Sequence, residues 1–527
     1  MKNYKSNINR LAELVIVTLF SSSLVLFMVV GLRTMFSGWH LVDDHQFLWY
    51  ITRMNDGESI WSIIWSEQVR DYTTQFRARL LFYPFRVIQA ALFGLNTTLY
   101  YILKAVEAIL TLIFLYYSGK ELRLNRFAST LFALASFCGP QSAVWWKLGT
   151  PQLQTTLFFS IGFYLMLRYF KTDSKAFAFL SLFSYLFMIN FHESFLCLLP
   201  FVILFSVYYA FKESDSYESF SLSLLWTMVK KRLWYEIVLT VFFVALMVYI
   251  IFFLGVNNYG SVEIGYPIRD ALDNLIASLH GDLKLYWYFG IVLLIILATF
   301  FDSIKKMWME AILLFSIIIP QLLLYQKEGF YERYLLPIVF AWTFLFIVIP
   351  FGYNIMAGRK RRIIYSLILC LMVLLSIRTV ATDADYFRFR GESVKATLNE
   401  MLELRQQGLD VVSTLPATNP EAEATTQFWL SSHDVSDCMY WNWEASEVVG
   451  NPDYDITTAD MIIEYNRDDI HFRADMDNID HSSFEYVKCG SLDLYFSKAV
   501  YNSFSEEDLA KFKIKPTIYG IGTYEYN

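Results

Sequence analysis

The feature that most constrains this chain is a succession of long apolar stretches separated by short polar segments. A transmembrane helix needs about 20 mostly apolar residues, and the first 380 residues contain eleven stretches near this length. They are residues 12–32, 99–118, 127–146, 153–170, 176–190, 195–211, 235–255, 285–301, 308–325, 334–351 and 363–380. A chain of 527 residues with 56% hydrophobic and 18% charged residues does not fit a soluble protein. The sequence predicts a mainly α, polytopic transmembrane helix bundle.

The distribution of lysine and arginine predicts the orientation of this bundle. With a cytoplasmic N-terminus, the inner segments hold 18 basic residues and the outer connections hold 11. Cytoplasmic loops carry the basic excess in membrane proteins, and an odd number of spans then leaves the C-terminus outside. The first stretch is too long for a removable signal peptide and lacks a following small-residue cleavage site. We therefore expect an integral protein of the plasma (cytoplasmic) membrane.

Charge and hydropathy divide the chain into two predicted domains, a bundle over residues 1–380 and an acidic extracytoplasmic domain over residues 381–527. Residues 1–379 carry 32 basic and 23 acidic side chains, whereas residues 380–527 carry 11 and 27. The acidic second part argues against a nucleic-acid partner. Its helical spacing over 391–407, its strand patterns at 410–412 and 461–463, and its hairpin pattern over 484–500 predict a small mixed α/β fold. Cys438 and Cys489 lie in it, and the sequence leaves open whether they form a disulfide.

The long outer loop 33–98 contains two segments that predict helices in the membrane interface. Residues 59–65 form an amphipathic pattern rich in tryptophan, and residues 80–95 are apolar but too short to span and interrupted by Pro84 and Arg86. Amphipathic segments with aromatic side chains are typical of this depth.

The strongest chemical signal is the acidic pair Asp43 and Asp44, flanked by His40 and His45, directly after the first predicted span. Repulsion between two carboxylates and partial burial raise one pKa toward the range of a general base. The same pair is also suited to a divalent cation. The alternative is an ordinary solvated loop.

An acidic pair behind the first span, interfacial helices, about ten further spans and an outward C-terminal domain resemble the GT-C class of membrane glycosyltransferases. In sequence the resemblance covers only Asp43 and Asp44 and the later run from Glu332 through Arg333 and Tyr334 to Pro337. That run is similar to the Arg-Tyr-x-x-Pro stretch near the donor phosphate in protein mannosyltransferases and aminoarabinose transferases. The resemblance implies a polyprenyl-phosphate sugar donor and a glycan or lipid-linked acceptor. Nothing in the sequence requires a metal, and a divalent cation at the acidic pair stays open. The resemblance also implies that an aspartate takes the acceptor proton and that substitution at the anomeric carbon proceeds with inversion.

Several other polar residues at predicted outer turns are candidates for the same site. Arg333 and Tyr334 lie at the outer end of the tenth stretch, where an arginine fork suits a lipid phosphate, although a snorkelling arginine is the alternative. Lys147, after Trp145 and Trp146, is a second phosphate or sugar ligand candidate, or a headgroup contact beside membrane anchors.

Four further positions complete the predicted site. His192 and Glu193 form a tight turn in apolar surroundings, where a charged residue is either functional or a helix cap. Arg269 and His280 lie in the loop 256–284, which we interpret as a lid over bound donor.

Two remaining pairs of charged residues have weaker claims. Arg79 and Arg86 are further phosphate candidates, with lipid headgroups as the alternative partners. Lys104 and Glu107 share a helix face in the second stretch and favour a structural pair.

The predicted function is transfer of a monosaccharide from a polyprenyl-phosphate donor to an acceptor outside the membrane. The chain has no phosphate-loop, dinucleotide-binding or zinc-protease motif. Two alternatives remain: a lipid-glycan polymerase or ligase, and a non-enzymatic transporter or flippase. A transporter predicts paired halves with broken spans in matching positions, and the sequence shows no such symmetry.

Overall fold

The structure is a computed structural model that describes residues 2–77, 79–213, 222–255, 267–281, 283–298, 308–324, 334–352, 359–415, 420–442, 446–465 and 479–519. In these ranges the α-helices are α1 (Lys2–Leu26), α2 (His45–Asn55), α3 (Ile60–Thr73), α4 (Phe82–Phe93), α5 (Thr97–Glu121), α6 (Arg126–Phe137), α7 (Gln152–Thr172), α8 (Lys175–Phe191), α9 (Leu199–Glu213), α10 (Leu222–Val248), α11 (Ile268–His280), α12 (Lys284–Ala298), α13 (Trp308–Leu324), α14 (Leu336–Thr343), α15 (Ile349–Gly352), α16 (Arg359–Gln406), α17 (Pro420–Ser431), α18 (Lys498–Tyr501) and α19 (Glu506–Ala510). The strands are β1 (Val411–Ser413), β2 (Met439–Asn442), β3 (Glu447–Val448), β4 (Met461–Tyr465), β5 (Phe484–Cys489) and β6 (Leu492–Ser497).

The helices confirm a helical membrane protein. Within the described ranges, four are long and apolar enough to cross a membrane: Asn9–Gly31, Thr97–Glu121, Trp234–Leu254 and Arg359–Gln406. A fifth candidate is the bent pair α11 and α12, whose axes meet at 87°. Five shorter apolar helices of 10–17 residues accompany them. Eleven spans therefore stay a prediction, since the described ranges contain only these four or five candidates by length and apolar composition.

The stretch 127–146 illustrates such a break. Helix α6 ends at Phe137, and a 3-10 turn over Pro140–Val144 follows. Proline lacks the N–H that would continue a helix and restricts the residue before it, which here is Gly139 with φ +148°. The chain then stays buried from Phe137 to the beginning of α7. The second half of this stretch is therefore an irregular segment enclosed by the bundle.

The loop 33–98 contains the two predicted helices, as α3 and α4, and one that the pattern did not predict, α2. On α3, Trp61 and Trp65 are 77% and 73% exposed, as an interfacial helix requires. The opposite side of α3 buries Ile63 and Ile64 against the bundle.

The strands expected near 410, 461 and 484–500 are present as β1, β4 and the hairpin of β5 and β6. They form a sheet of order β3-β2-β1-β4-β6-β5, in which β1 is parallel to β2 and β4 and the other pairings are antiparallel. One face packs on α16 through Leu398 and Met401. Cys438 and Cys489 are separate buried thiols.

Helix α16 joins the membrane bundle to this sheet without interruption. Its 48 residues correspond to a length of about 70 Å, and the predicted boundary at residue 380 falls inside it. Near its middle it supports the loop 33–98: Thr34 donates a hydrogen bond to the carbonyl of Ala384 at 3.0 Å. The ring of His40 lies 5.1 Å from that of Phe387. The loop with the acidic pair therefore rests on the helix that leads into the C-terminal domain.

Candidate functional site

Asp44 is a fully buried carboxylate that joins two loops. One oxygen accepts a hydrogen bond from the backbone N–H of His40 at 3.0 Å, and the other accepts from the N–H of Gly149 at 2.7 Å. Burial raises the pKa of Asp44 to about 6, because the charged form loses its hydration. Both oxygens are thus occupied by backbone donors, and the side chain holds the loop at residue 40 against the loop at residue 149.

Asp43 is the more accessible of the two carboxylates. Its backbone adopts φ +68°, in the left-handed region, and its side chain is 33% exposed. The Lys147 Nζ lies 2.5 Å from Oδ2 of Asp43, and the Lys147 side chain is fully buried. Arg86 donates from Nη2 to the Asp43 carbonyl at 2.8 Å. Two cations therefore hold Asp43, one at the carboxylate and one at the backbone.

The close approach at Gly149 explains how these groups fit together. A Cβ at position 149 would overlap the carbonyl of Asp43 and would lie 2.8 Å from Nη2 of Arg86. Only glycine lets the two backbones approach so closely. The segment from Lys147 to Gly149 thereby brings the Gly149 N–H to Asp44 and the Lys147 side chain to Asp43.

Glu421 is a residue of the site that the sequence did not reveal. It lies in the first turn of α17, and its Oε2 accepts a hydrogen bond from the Asp43 N–H at 2.7 Å. The same oxygen lies 3.4 Å from Nδ1 of His45. Burial and the neighbouring Asp43 raise the pKa of Glu421. No local pattern marks this glutamate, which is 378 residues away from Asp43 in the chain.

His45 and Arg86 complete the surroundings of Asp43. Burial, with a smaller effect of Arg86, lowers the pKa of His45 to about 4, so its ring is neutral at pH 7. The guanidinium of Arg86 packs between Phe47 and Phe82, at 4.6 and 4.7 Å from their ring centres. It also donates a hydrogen bond to Gln46. Arg86, which the sequence offered only as a weaker phosphate candidate, therefore lies in the site beside Asp43.

Aromatic and charged residues pack around the loop that carries Lys147. Trp145 and Trp146 are completely buried, so neither is available to a sugar ring or to the membrane interface. Lys104 donates to the carbonyl of Thr150 at 3.1 Å. Glu107 accepts from Gln154 at 2.8 Å. The two charged residues of α5 thus have a structural role, which is to hold the beginning of α7.

An apolar groove of about 640 Å³ lies between α3, α8 and α10. Its walls include Val69, Leu186 and Phe242, and Arg77 and Arg79 lie along it. Arg79 is buried and lies 3.0 Å from a carboxylate oxygen of Asp71. This predicted phosphate ligand is therefore held by a carboxylate inside the protein.

Phe82 connects the groove to the acidic loop. The guanidinium of Arg79 lies 4.6 Å from the centre of its ring, and that of Arg86 lies 4.7 Å from it. A small cavity beside Phe82 is lined by Arg86, Gly149 and Phe191. Phe82 thus lies between Arg79, which lines the groove, and Arg86, which contacts Asp43.

His192 and Tyr334 are neighbours at the end of the bundle that carries the small cavity. Their ring centres are 6.1 Å apart, and Nδ1 of His192 lies 2.6 Å from Oγ of Ser194. The adjacent Phe191 lines the small cavity with Arg86. Arg333 and the side chain of Glu193 lie outside the described residues, so their predicted roles stay predictions.

Arg269 and His280 are in a different environment, on the exposed helix α11. Arg269 is 90% exposed and lies 3.9 Å from Asp273 on the same helix. His280 contacts the carbonyl of Ile276, one turn earlier. Their contacts in the described ranges are thus local to α11. Residues 256–266 of the predicted lid lie outside the described residues.

In the described part of the chain, no group of three or more His, Cys, Asp or Glu side chains is arranged to hold a metal ion. Comparison with protein-family models, curated proteins and solved structures finds no match. Function is therefore inferred from the chemistry of the loop at Asp43.

Proposed function

We propose that this protein is a membrane glycosyltransferase that moves a monosaccharide from a polyprenyl-phosphate donor to a glycan or lipid-linked acceptor outside the membrane. One observation carries the proposal: a partly exposed carboxylate, Asp43, lies 2.5 Å from the buried Lys147. An apolar groove large enough for a lipid chain is linked to this pair through the ring of Phe82, which packs on Arg79 of the groove and on Arg86. A transferase of this kind needs a base, a cation for the leaving phosphate and a path for the lipid, and these features supply all three.

Asp43 is the better candidate for the base, because both oxygens of Asp44 are engaged by backbone N–H groups. In the proposed step, Asp43 takes the proton of the acceptor hydroxyl while that oxygen attacks the anomeric carbon. The bond between this carbon and the phosphate oxygen breaks with inversion, and the lipid phosphate leaves with the electron pair. Lys147 then balances the charge that develops on the phosphate.

The groove between α3, α8 and α10 would hold the prenyl chain of the donor. Its lining is predominantly apolar, and burial of prenyl carbons gives about 0.8 kcal/mol for each CH₂ group. Arg86 lines the small cavity beside Phe82 and contacts the Asp43 carbonyl, so it would meet the phosphate together with Lys147. Arg333, by the resemblance stated above, is a further ligand of that phosphate.

The proposal includes the topology of eleven spans with a cytoplasmic N-terminus and an external C-terminal domain. It is supported by the excess of basic residues in the predicted inner segments. Reporters fused after residue 358 and after residue 527 should lie on opposite sides of the membrane. A reporter at residue 527 in the cytoplasm would contradict this arrangement.

The lipid that co-purifies with the full-length protein tests the proposal most directly. Mass spectrometry of extracted lipid should detect a prenyl phosphate or its monosaccharide ester in stoichiometric amount. Membranes that contain the protein should also transfer label from tritiated polyprenyl-phosphate glucose, mannose or galactose into glycan. Only ordinary phospholipids in the extract, together with no transfer from any of these donors, would contradict a transferase and favour a transporter.

A further inference from the structure

We infer that Glu421 is a positioning residue for Asp43, which makes the C-terminal domain part of the site. The inference rests on the proposed function, since Glu421 would act through the residue that takes the acceptor proton. It assigns a role to a domain whose purpose the acidic composition alone does not indicate.

The first support is the fixed position of α17 against the acidic loop. Thr425 donates a hydrogen bond to the carbonyl of Leu41 at 2.7 Å. The rings of Trp49 and Phe428 lie 4.7 Å apart where α17 runs beside α2. Glu421, one turn before Thr425, is therefore held at a defined distance from Asp43.

The second support is the backbone conformation of Asp43. Left-handed φ is uncommon for residues other than glycine, and aspartate is among the few that tolerate it; such residues persist where their surroundings hold them. Glu421 accepts from the Asp43 N–H, Arg86 donates to its carbonyl, and Lys147 pairs with its carboxylate, and these three contacts help to hold the conformation. The contact with Glu421 is the one of these three that comes from the C-terminal domain.

The third support is that the Glu421 side chain points toward the acidic loop. The oxygen that faces the loop already accepts the N–H of Asp43 at 2.7 Å. An amide oxygen of glutamine could accept this hydrogen bond equally well, whereas alanine could not. A positioning role and a proton-accepting role therefore predict different results for the two substitutions.

The experiment compares Glu421→Ala and Glu421→Gln in the full-length protein with the polyprenyl-phosphate hexose that the wild type transfers. Glu421→Ala should lower kcat by about tenfold to 100-fold, the range for misplacement of a catalytic group, with KM for the donor nearly unchanged. Glu421→Gln should stay within about threefold of wild type, since it retains the hydrogen bond. Glu423→Ala is the matched control, because Glu423 lies on the same helix and its electrostatic neighbour is Asp437.

A second measurement does not depend on transfer. Hydrogen exchange of the Asp43 amide should be about tenfold faster in Glu421→Ala than in wild type and unchanged in Glu421→Gln, because that amide loses its acceptor only in the first variant. This readout also distinguishes a local effect from loss of the fold, which would accelerate exchange throughout α2.

Two results would overturn the inference: equal loss of kcat in both variants, which would make the Glu421 carboxylate itself essential, or full activity with unchanged exchange in Glu421→Ala. The failure of the proposed function has a separate signature. If Asp43→Asn transfers sugar as well as wild type, the proposed mechanism is wrong whatever Glu421 does. If Asp43→Asn is inactive and Glu421→Ala is fully active, only the inference about Glu421 fails.

Discussion

The loop that carries Asp43 and the helix α11 are both polar segments between apolar helices, and they differ in how much protein surrounds them. Groups from α4, the turn at residue 147 and α17 contact Asp43. Helix α11 has no buried residue in the described structure, and Arg269 contacts its own helix. Charges in the first segment are partly removed from water and act on one another strongly, whereas those in the second are screened. Charged residues can therefore acquire chemical roles in the enclosed loop at Asp43 more readily than on the exposed helix α11.

The largest expected effect is that of Asp43→Asn. The substitution keeps the size of the side chain but removes the proton acceptor, so transfer should fall by about 100-fold or more. Donor binding and folding should be retained, since Asp44 still joins the two loops. The measurement is initial transfer rate in membranes with matched protein content. Wild-type activity of Asp43→Asn would mean that the loop at Asp43 has no chemical role that α11 lacks.

Lys147→Met should have the next largest effect. Methionine fills the space of the buried lysine stem but has no charge for the leaving phosphate, so kcat should fall by about tenfold to 100-fold. Lys171→Met, in the last turn of α7 and paired with Glu121, is the matched control and should leave transfer unchanged. Equal effects of the two variants would mean that Lys147 acts only through the stability of the fold.

Asp44→Asn should affect stability more than chemistry. An amide offers one acceptor oxygen where the carboxylate offers two, so either the His40 or the Gly149 N–H loses its partner. An unpaired buried donor costs roughly 1–3 kcal/mol. The variant should unfold at lower temperature in detergent, and exchange of those two amides should accelerate. An unchanged melting temperature would contradict the role of Asp44 as a link between loops.

The same residue predicts a pH effect. Because burial raises the pKa of Asp44 from 3.8 to about 6, the native state binds a proton that the unfolded state has lost between these values. The free energy of unfolding of wild type relative to Asp44→Asn should therefore fall as pH rises from about 4 to about 6, and should be constant above that. Denaturation series at several pH values measure this difference, and a flat difference would show that Asp44 titrates normally.

The smallest effect is expected on α11. Arg269→Ala and His280→Ala should each change transfer by less than about twofold, because exposed side chains with local contacts contribute little. The same membrane assay measures them. A tenfold loss in either variant would mean that α11 approaches the site during the reaction, as the predicted lid would.

Adjacency in the sequence accounts for the part of the site that could be predicted. Asp43 and Asp44 stand out as neighbouring carboxylates, and Lys147 stands out as a charge in an apolar turn. Their division of roles could not be predicted, because it depends on the left-handed backbone of Asp43 and on the close approach of Gly149. Glu421 could not be found because its contact joins distant parts of the chain.

The fold was predictable to a similar degree. Apolar periodicity predicted helices in the bundle and strands in the C-terminal sheet, since both patterns follow directly from burial. The end of α6 before Gly139 and Pro140 was not predicted, because hydropathy does not register the missing N–H of proline. The continuity of α16 was missed for a related reason, since the loss of apolar character near residue 380 was interpreted as a boundary.

That continuity restricts how the chain can change in evolution. A flexible linker between two domains tolerates insertions, but one residue added within α16 between the membrane and Gln406 would turn everything beyond it by about 100° and shift it by about 1.5 Å. Seven added residues nearly restore the rotation but move the sheet outward by about 10 Å. Since α17 must meet α2 for Glu421 to reach Asp43, no insertion in this segment preserves both angle and height. We therefore expect the number of residues between the membrane and the sheet to be invariant among functional relatives.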